Sequence, residues 1–152
     1  MKKIIFSFIA VLALGCGFTS CGSDDDDDNI SYSTPAEEAS AGTYTGIWTR
    51  SLDGVDETYS GTVTLESAGK TGVTKVTFSC PESSLNATSV ANIWNAKYDF
   101  MFMNQTVSTE NGLGASFAGR ITETGVLTTS FTITQKVGRK SYNYNYSFTG
   151  SK

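Results

Sequence analysis

Ser141-Tyr-Asn-Tyr-Asn-Tyr-Ser-Phe-Thr-Gly150 alternates without a break, with Tyr142, Tyr144, Tyr146 and Phe148 on one parity and Asn143, Asn145 and Ser147 on the other. Successive side chains of a strand point to opposite faces, so this segment predicts a strand with one buried and one wet face. That pattern belongs to antiparallel sheets. Working outward, Gly138 marks a turn before Val126 to Lys136, where Leu127, Thr129, Phe131 and Ile133 share a face. The turn Glu123-Thr-Gly125 separates that strand from Leu113 to Thr122, with Ala115, Phe117, Gly119 and Ile121 inward. Lys97 to Asn104 places Tyr98, Phe100 and Phe102 together, and Gly42 to Arg50, Glu57 to Glu66 and Val73 to Ser79 supply three more strands. Seven short strands joined by glycine-bearing turns predict an all-β sandwich or closed barrel. Pro81 to Asn95 fits a short helix, an eighth strand or a loop, and its length argues that it packs over something.

The other end of the chain reads differently. Lys2 and Lys3 precede an apolar run from Ile4 to Leu14, the order of a secretory signal and too short for a membrane span of ~20 residues. Gly15-Cys16 and Ser20-Cys21 each place a small residue before a cysteine, which resembles the bacterial lipobox. Cys21 is the better lipid-attachment site, because Gly15 to Ser20 then serves as the cleavage region. Ser23 with Asp24, Asp25, Asp26, Asp27 and Asp28 resembles the acidic export label of Bacteroidota-type surface lipoproteins. The resemblance implies an outer-membrane lipoprotein facing the cell exterior, with a periplasmic orientation as the alternative. The organisation expected is a signal peptide over 1–20, a lipidated cysteine and acidic tether over 21–40, and a β-domain over 41–152. Five adjacent like charges also suit a solvated spacer.

The acidity of the chain belongs to the tether. The net charge is −4, yet from Ser40 onward nine Lys and Arg stand against eight Asp and Glu. A nearly neutral domain offers nothing to steer it towards nucleic acid. With Cys21 acylated, Cys80 has no partner for an internal disulfide, and its expected place is in the core. The chain contains no histidine, which excludes a serine–histidine triad and histidine-bearing metal sites. A hydrolytic carboxylate pair would have to come from Asp53, Asp56, Glu57, Glu66, Glu82, Asp99, Glu110 or Glu123, most of them at turns or strand ends. No cofactor motif is present, and the chain is read as non-catalytic.

Gly42-Thr-Tyr-Thr-Gly46, the Gly119 to Leu127 hairpin and the closing Tyr144-Asn-Tyr-Ser-Phe-Thr-Gly150 resemble the calycin-like domains of Bacteroidota-type lipoproteins. Gly46-Ile-Trp48 is similar to the lipocalin Gly-x-Trp, whose tryptophan packs at the barrel base, although the arginine lipocalins carry near the last strand is missing. The resemblance implies a closed, up-and-down, antiparallel barrel of eight strands. Such a barrel is either filled by side chains or holds one small ligand. Trp48, Phe100, Phe102, Phe117, Phe131, Tyr142, Tyr144 and Tyr146 are the interior or ligand-lining candidates, while Gly61, Ala115, Gly119 and Thr129 predict room at some levels. Met101 and Met103 lie opposite these aromatics and, with Trp94, form a candidate surface patch unless Ile93 and Trp94 fold back over them. Three functions fit: a membrane-tethered module binding a small apolar or glycan-like ligand or a partner protein, a structural or interaction protein with a filled barrel, such as a loop-based inhibitor, and a hydrolase. A filled interior shifts the expectation within the first of these towards the partner protein and away from a small ligand held inside.

Overall fold

The computed structural model describes residues 34–104 and 115–152. Cys21, Ser23 and Asp24 to Asp28 lie outside the described residues. The described chain opens with a helical turn, α1 (Ala36–Ala39). Strands β1 (Gly42–Leu52), β2 (Val55–Lys70), β3 (Val73–Cys80) and β4 (Leu85–Ala96) follow, with a 3-10 turn at Pro81–Ser83 before β4. The remaining strands are β5 (Asp99–Asn104), β6 (Phe117–Ile121), β7 (Val126–Val137) and β8 (Lys140–Ser151). Each pairs antiparallel with its sequence neighbour, and β8 returns to β1, so the sheet closes as an eight-stranded up-and-down barrel. The closing seam runs from Thr45 opposite Ser151 to Ser51 opposite Asn145, with Gly46 facing Gly150 and Trp48 facing Phe148. Closure removes the free edges that a small sheet would otherwise offer to other chains.

The undecided segment is a strand. From Leu85 to Ile93 the odd positions Leu85, Ala87, Ser89, Ala91 and Ile93 are all buried. Ile93 is therefore an inward core residue and does not fold over Met101 and Met103. Tyr98 also departs from expectation: it sits with Lys97 in the tight turn between β4 and β5 and is 53% exposed. Lys97 takes φ +56 there, so the chain reverses before Tyr98 can join the inward row. The strand expected over 113–122 runs, within the described residues, over Phe117–Ile121.

α1 closes one end of the barrel. The Gly72 amide donates to Glu37 Oε2 at 3.0 Å, and Lys152 Nζ donates to the Ala41 carbonyl at 3.1 Å. Glu37 and Ser40 are buried, and the Tyr44 hydroxyl donates to the Ser40 carbonyl at 2.8 Å. Burial pushes the Tyr44 phenol from its ordinary value of 10 up to about 12. A raised value means that the fold holds the proton more tightly than the unfolded chain does. This contribution is complete below pH 10 and is lost as the pH rises towards about 12. Tyr44→Phe is therefore expected to flatten the alkaline limb of the stability profile, read by thermal melts across that window; an unchanged limb would show that Tyr44 does not set it.

One end of the barrel carries α1, the turns at 70–73, 96–99 and 121–126, and Lys152. The far end carries the β1–β2 turn, the 3-10 turn and the β7–β8 turn.

Candidate binding site

Trp48 is the hub of the interior. Its ring lies 6.0 Å from Phe78, 5.7 Å from Phe131, 6.3 Å from Tyr146 and 5.0 Å from Phe148. Phe117 continues the cluster at 5.0 Å from Phe78 and 6.4 Å from Phe102, while Phe131 stacks on Tyr146 at 5.4 Å. Most of these are edge or tilted contacts, the geometry that aromatic quadrupoles favour. Trp48, Phe102, Phe117, Phe131 and Tyr146 are all buried, and Phe100 packs against the same cluster half-buried.

The room expected at Gly61 and Gly119 is already occupied. A methyl group at Gly119 would stand 2.5 Å from Phe102 Cε1, and one at Gly61 would stand 2.6 Å from Trp48 Cδ1. Both lie far inside van der Waals contact, so each glycine makes space for a ring of the neighbouring strand and none for a ligand. Thr129 is buried as expected, and its hydroxyl donates to the Ala118 carbonyl at 2.8 Å. Ala115 is half-buried against the core.

Tyr142 and Tyr144 differ from the other interior candidates. Both share the inward parity of Tyr146, but the sheet around them is thinning. The pairing of β8 with β1 ends at Asn145, whereas its pairing with β7 continues through Tyr144 opposite Ile133 and Tyr142 opposite Gln135 to Lys140 opposite Val137. The last β6–β7 pair towards this end is Ala118 with Ser130. Beyond these points β7 and β8 form a two-stranded ribbon that overhangs the far end of the barrel. Its inward face presents the half-buried Ile133, Tyr142 and Tyr144. On its outward face, Thr132 donates to Asn145 Oδ1 at 2.7 Å and Thr134 donates to Asn143 Oδ1 at 2.8 Å. Those two asparagines serve the cross-strand ladder.

Arg50 completes this rim. It is on the inward parity of Tyr44 and Trp48, opposite Glu57 and Tyr146 in the two neighbouring strands. Its Nε donates to Glu57 Oε2 at 3.0 Å and its Nη2 donates to the Tyr59 hydroxyl at 3.1 Å. The guanidinium carbon lies 5.4 Å from the Tyr59 ring centre and 5.5 Å from that of Tyr144, within cation–π range. Hydrogen bonds from Arg50 and Tyr59 hold the Glu57 carboxyl below its ordinary value. Arg50 and Glu57 thus neutralise one another and fix the tyrosines around them. Sequence reading passed over this cluster, although Arg50 and Glu57 are equidistant from the Asp53-Gly54 turn, a signal that they face each other in a hairpin. The cation beside the β8 tyrosines comes from β1.

The outer face holds the predicted apolar patch. Trp94, 41% exposed, stands directly opposite Met101, and Met103 stands opposite Asn92 and Ala118. A shallow depression of about 310 Å³ beside them is lined by Met101, Ala118, Arg120 and Thr128 among others. Met101 and Met103 are half-buried there, with Trp94 on the same face of the neighbouring strand.

Glu110 lies outside the described residues, and the other carboxylates considered for hydrolysis are dispersed. Glu57 meets Arg50, and Glu66 accepts from Lys75 Nζ at 2.9 Å. Asp99 accepts from Arg120 Nε at 2.6 Å and from the Glu123 amide at 3.2 Å. Asp56 accepts the Ser51 hydroxyl. Cys80 is a buried free thiol in the core. No family model, curated protein or solved structure matches the chain.

Proposed function

We propose that this protein is a non-catalytic binding module, lipid-anchored through Cys21 and displayed on the cell surface, that holds a glycan-like ligand on the rim of a filled calycin-like barrel. The observation that carries this reading is the division of the aromatic set. Trp48, Phe78, Phe102, Phe117, Phe131 and Phe148 are consumed by core packing, while Tyr59, Tyr142 and Tyr144 stay half-open at one end. Tyrosine offers an apolar face and a polar tip, which suits the mixed surface of a sugar ring. Tyr142 and Tyr144 are two positions apart on one face, a spacing of roughly 7 Å along the strand. Polar groups of Gln135, Arg50 and Glu57 surround them. The described chain starts beside α1 at the opposite end of the barrel. A tether from Cys21 therefore leaves the rim directed away from the membrane that the anchor enters. Twelve residues lie between Cys21 and Thr34, a reach of at most roughly 45 Å over thirteen steps.

Calorimetric titration of the full chain against an oligosaccharide panel tests the rim. Binding is expected to fall about tenfold or more in Tyr142→Ala and Tyr144→Ala while the fold survives. Undiminished binding in both variants would remove the rim from the mechanism. The anchor is tested by fractionation: Cys21→Ser should release the protein from membranes, and retention of that variant together with release of Cys16→Ser would move the lipid to Cys16.

The exposed Trp94 beside Met101 and Met103 supports a second reading, docking of a partner protein on the outer face. Loss of a cross-linked partner in Trp94→Ala but not in Tyr142→Ala would favour it over the rim.

A further inference from the structure

The chain from Val126 to Lys152 contains Lys136, Arg139, Lys140 and Lys152 and not one aspartate or glutamate. Three of those cations fall within five residues at the tip of the β7–β8 ribbon, where all are exposed. The three ion pairs among the described residues engage Arg50, Lys75 and Arg120, and none of them uses the tip. Among the described residues, the β1–β2 hairpin, which pairs with β8 through β1, carries acids. There Glu57 is neutralised by Arg50, and Asp56 faces outward with Ser51, while Asp53 sits in the turn itself. Lys140 stands opposite Val137 on the inward parity, continuing the row of Tyr144 and Tyr142. The rim therefore grades from neutralised charge and aromatic surface at its base to positive charge at its lip that no ion pair among the described residues engages.

Resting on the rim reading above, we infer that the ligand is an acidic glycan, a chain bearing uronate or similar carboxylates. Its rings lie on Tyr142 and Tyr144, and its carboxylates meet Lys140 and Arg139. An arginine fork and a lysine ammonium both form charge-assisted hydrogen bonds to carboxylate. The sites are exposed, so each contact is modest and screened by salt, and several along one strand are needed for useful affinity. A neutral glycan would use the tyrosines alone and leave the cationic tip idle. A purely acidic polypeptide would use the tip and leave the aromatic face idle.

The test titrates the full chain with uronate-containing oligosaccharides, with their carboxyl-reduced neutral counterparts, and with polyglutamate. The acidic sugars are expected to bind about tenfold or more tightly than the reduced ones at low salt. The gap should close when salt is raised and when Arg139→Gln and Lys140→Gln are combined. Tyr142→Ala should weaken acidic and reduced sugars alike. Equal binding of acidic and reduced sugars would overturn this inference and leave the rim reading standing. Binding of polyglutamate as strong as that of the acidic sugars, and indifferent to Tyr142→Ala, would replace the glycan by an acidic polypeptide. Failure of every sugar to bind would overturn the inference together with the rim reading.

Discussion

Replacing Trp48 by alanine is expected to lower the unfolding free energy by about 3–5 kcal/mol, the range for truncating a buried large aromatic. A domain of this size has only about 5–15 kcal/mol in total, so the variant should be marginal at best. The expectation follows from the position of the indole, fully buried and in contact with rings from β3, β7 and β8. Its removal leaves a void touching four walls of the barrel, and such a void collapses poorly. Trp48→Phe should cost less than half as much. The Trp48 Nε1 group is buried and finds no hydrogen-bond partner among the described residues, so phenylalanine gives up volume without giving up a hydrogen bond. Urea unfolding of the three proteins measures this. Near-equal midpoints for wild type and Trp48→Ala would show that the indole is not the hub.

Gly46→Ala should be comparably damaging by the opposite route. A methyl group at Gly46 would press into the backbone of β8, within 2.8 Å of the Thr149 carbonyl carbon and closer still to its oxygen. Backbone cannot swing aside as a side chain can. The strain is relieved only if β1 and β8 separate, and theirs is the seam that closes the barrel. Overpacking costs about 1–3 kcal/mol and sometimes more, and the upper end is expected here. An opened seam also exposes two unpaired edges, so Gly46→Ala should self-associate. Hydrogen exchange across Thr45–Ser51 with light scattering gives the readout. Wild-type protection in that strand, in a monomer, would contradict the account of closure.

The legibility of the fold varied along the chain for identifiable reasons. Tyr142 to Phe148 was readable because large aromatics alternate with small polar residues, and the structure keeps that parity to the rim. β4 was obscure because its inward row includes Ala87, Ser89 and Ala91, whereas the conspicuous Val90 and Trp94 face outward at 52% and 41% exposure. The hydrophobic contrast that marks a strand was thus nearly inverted. Gly61 and Gly119 were placed on the correct face, but what fills the space above them was not readable. Phe102 meets Gly119 across a pairing whose register depends on the whole barrel. The candidate site split in the same way. The tyrosines of the rim were identified, but their separation from the core ring set depends on where β1 stops pairing with β8, a property of relative strand lengths around the barrel.

The central claim is that the barrel is a filled scaffold which presents its ligand site at its rim. Native mass spectrometry of the full-length protein purified from its own host tests this most directly. The account predicts the mass of the lipidated chain alone, or of that chain with a ligand whose retention is lost in Tyr142→Ala. A small molecule held at one copy per chain, released only on unfolding and retained in Tyr142→Ala, would mean that the barrel is a container and would contradict it.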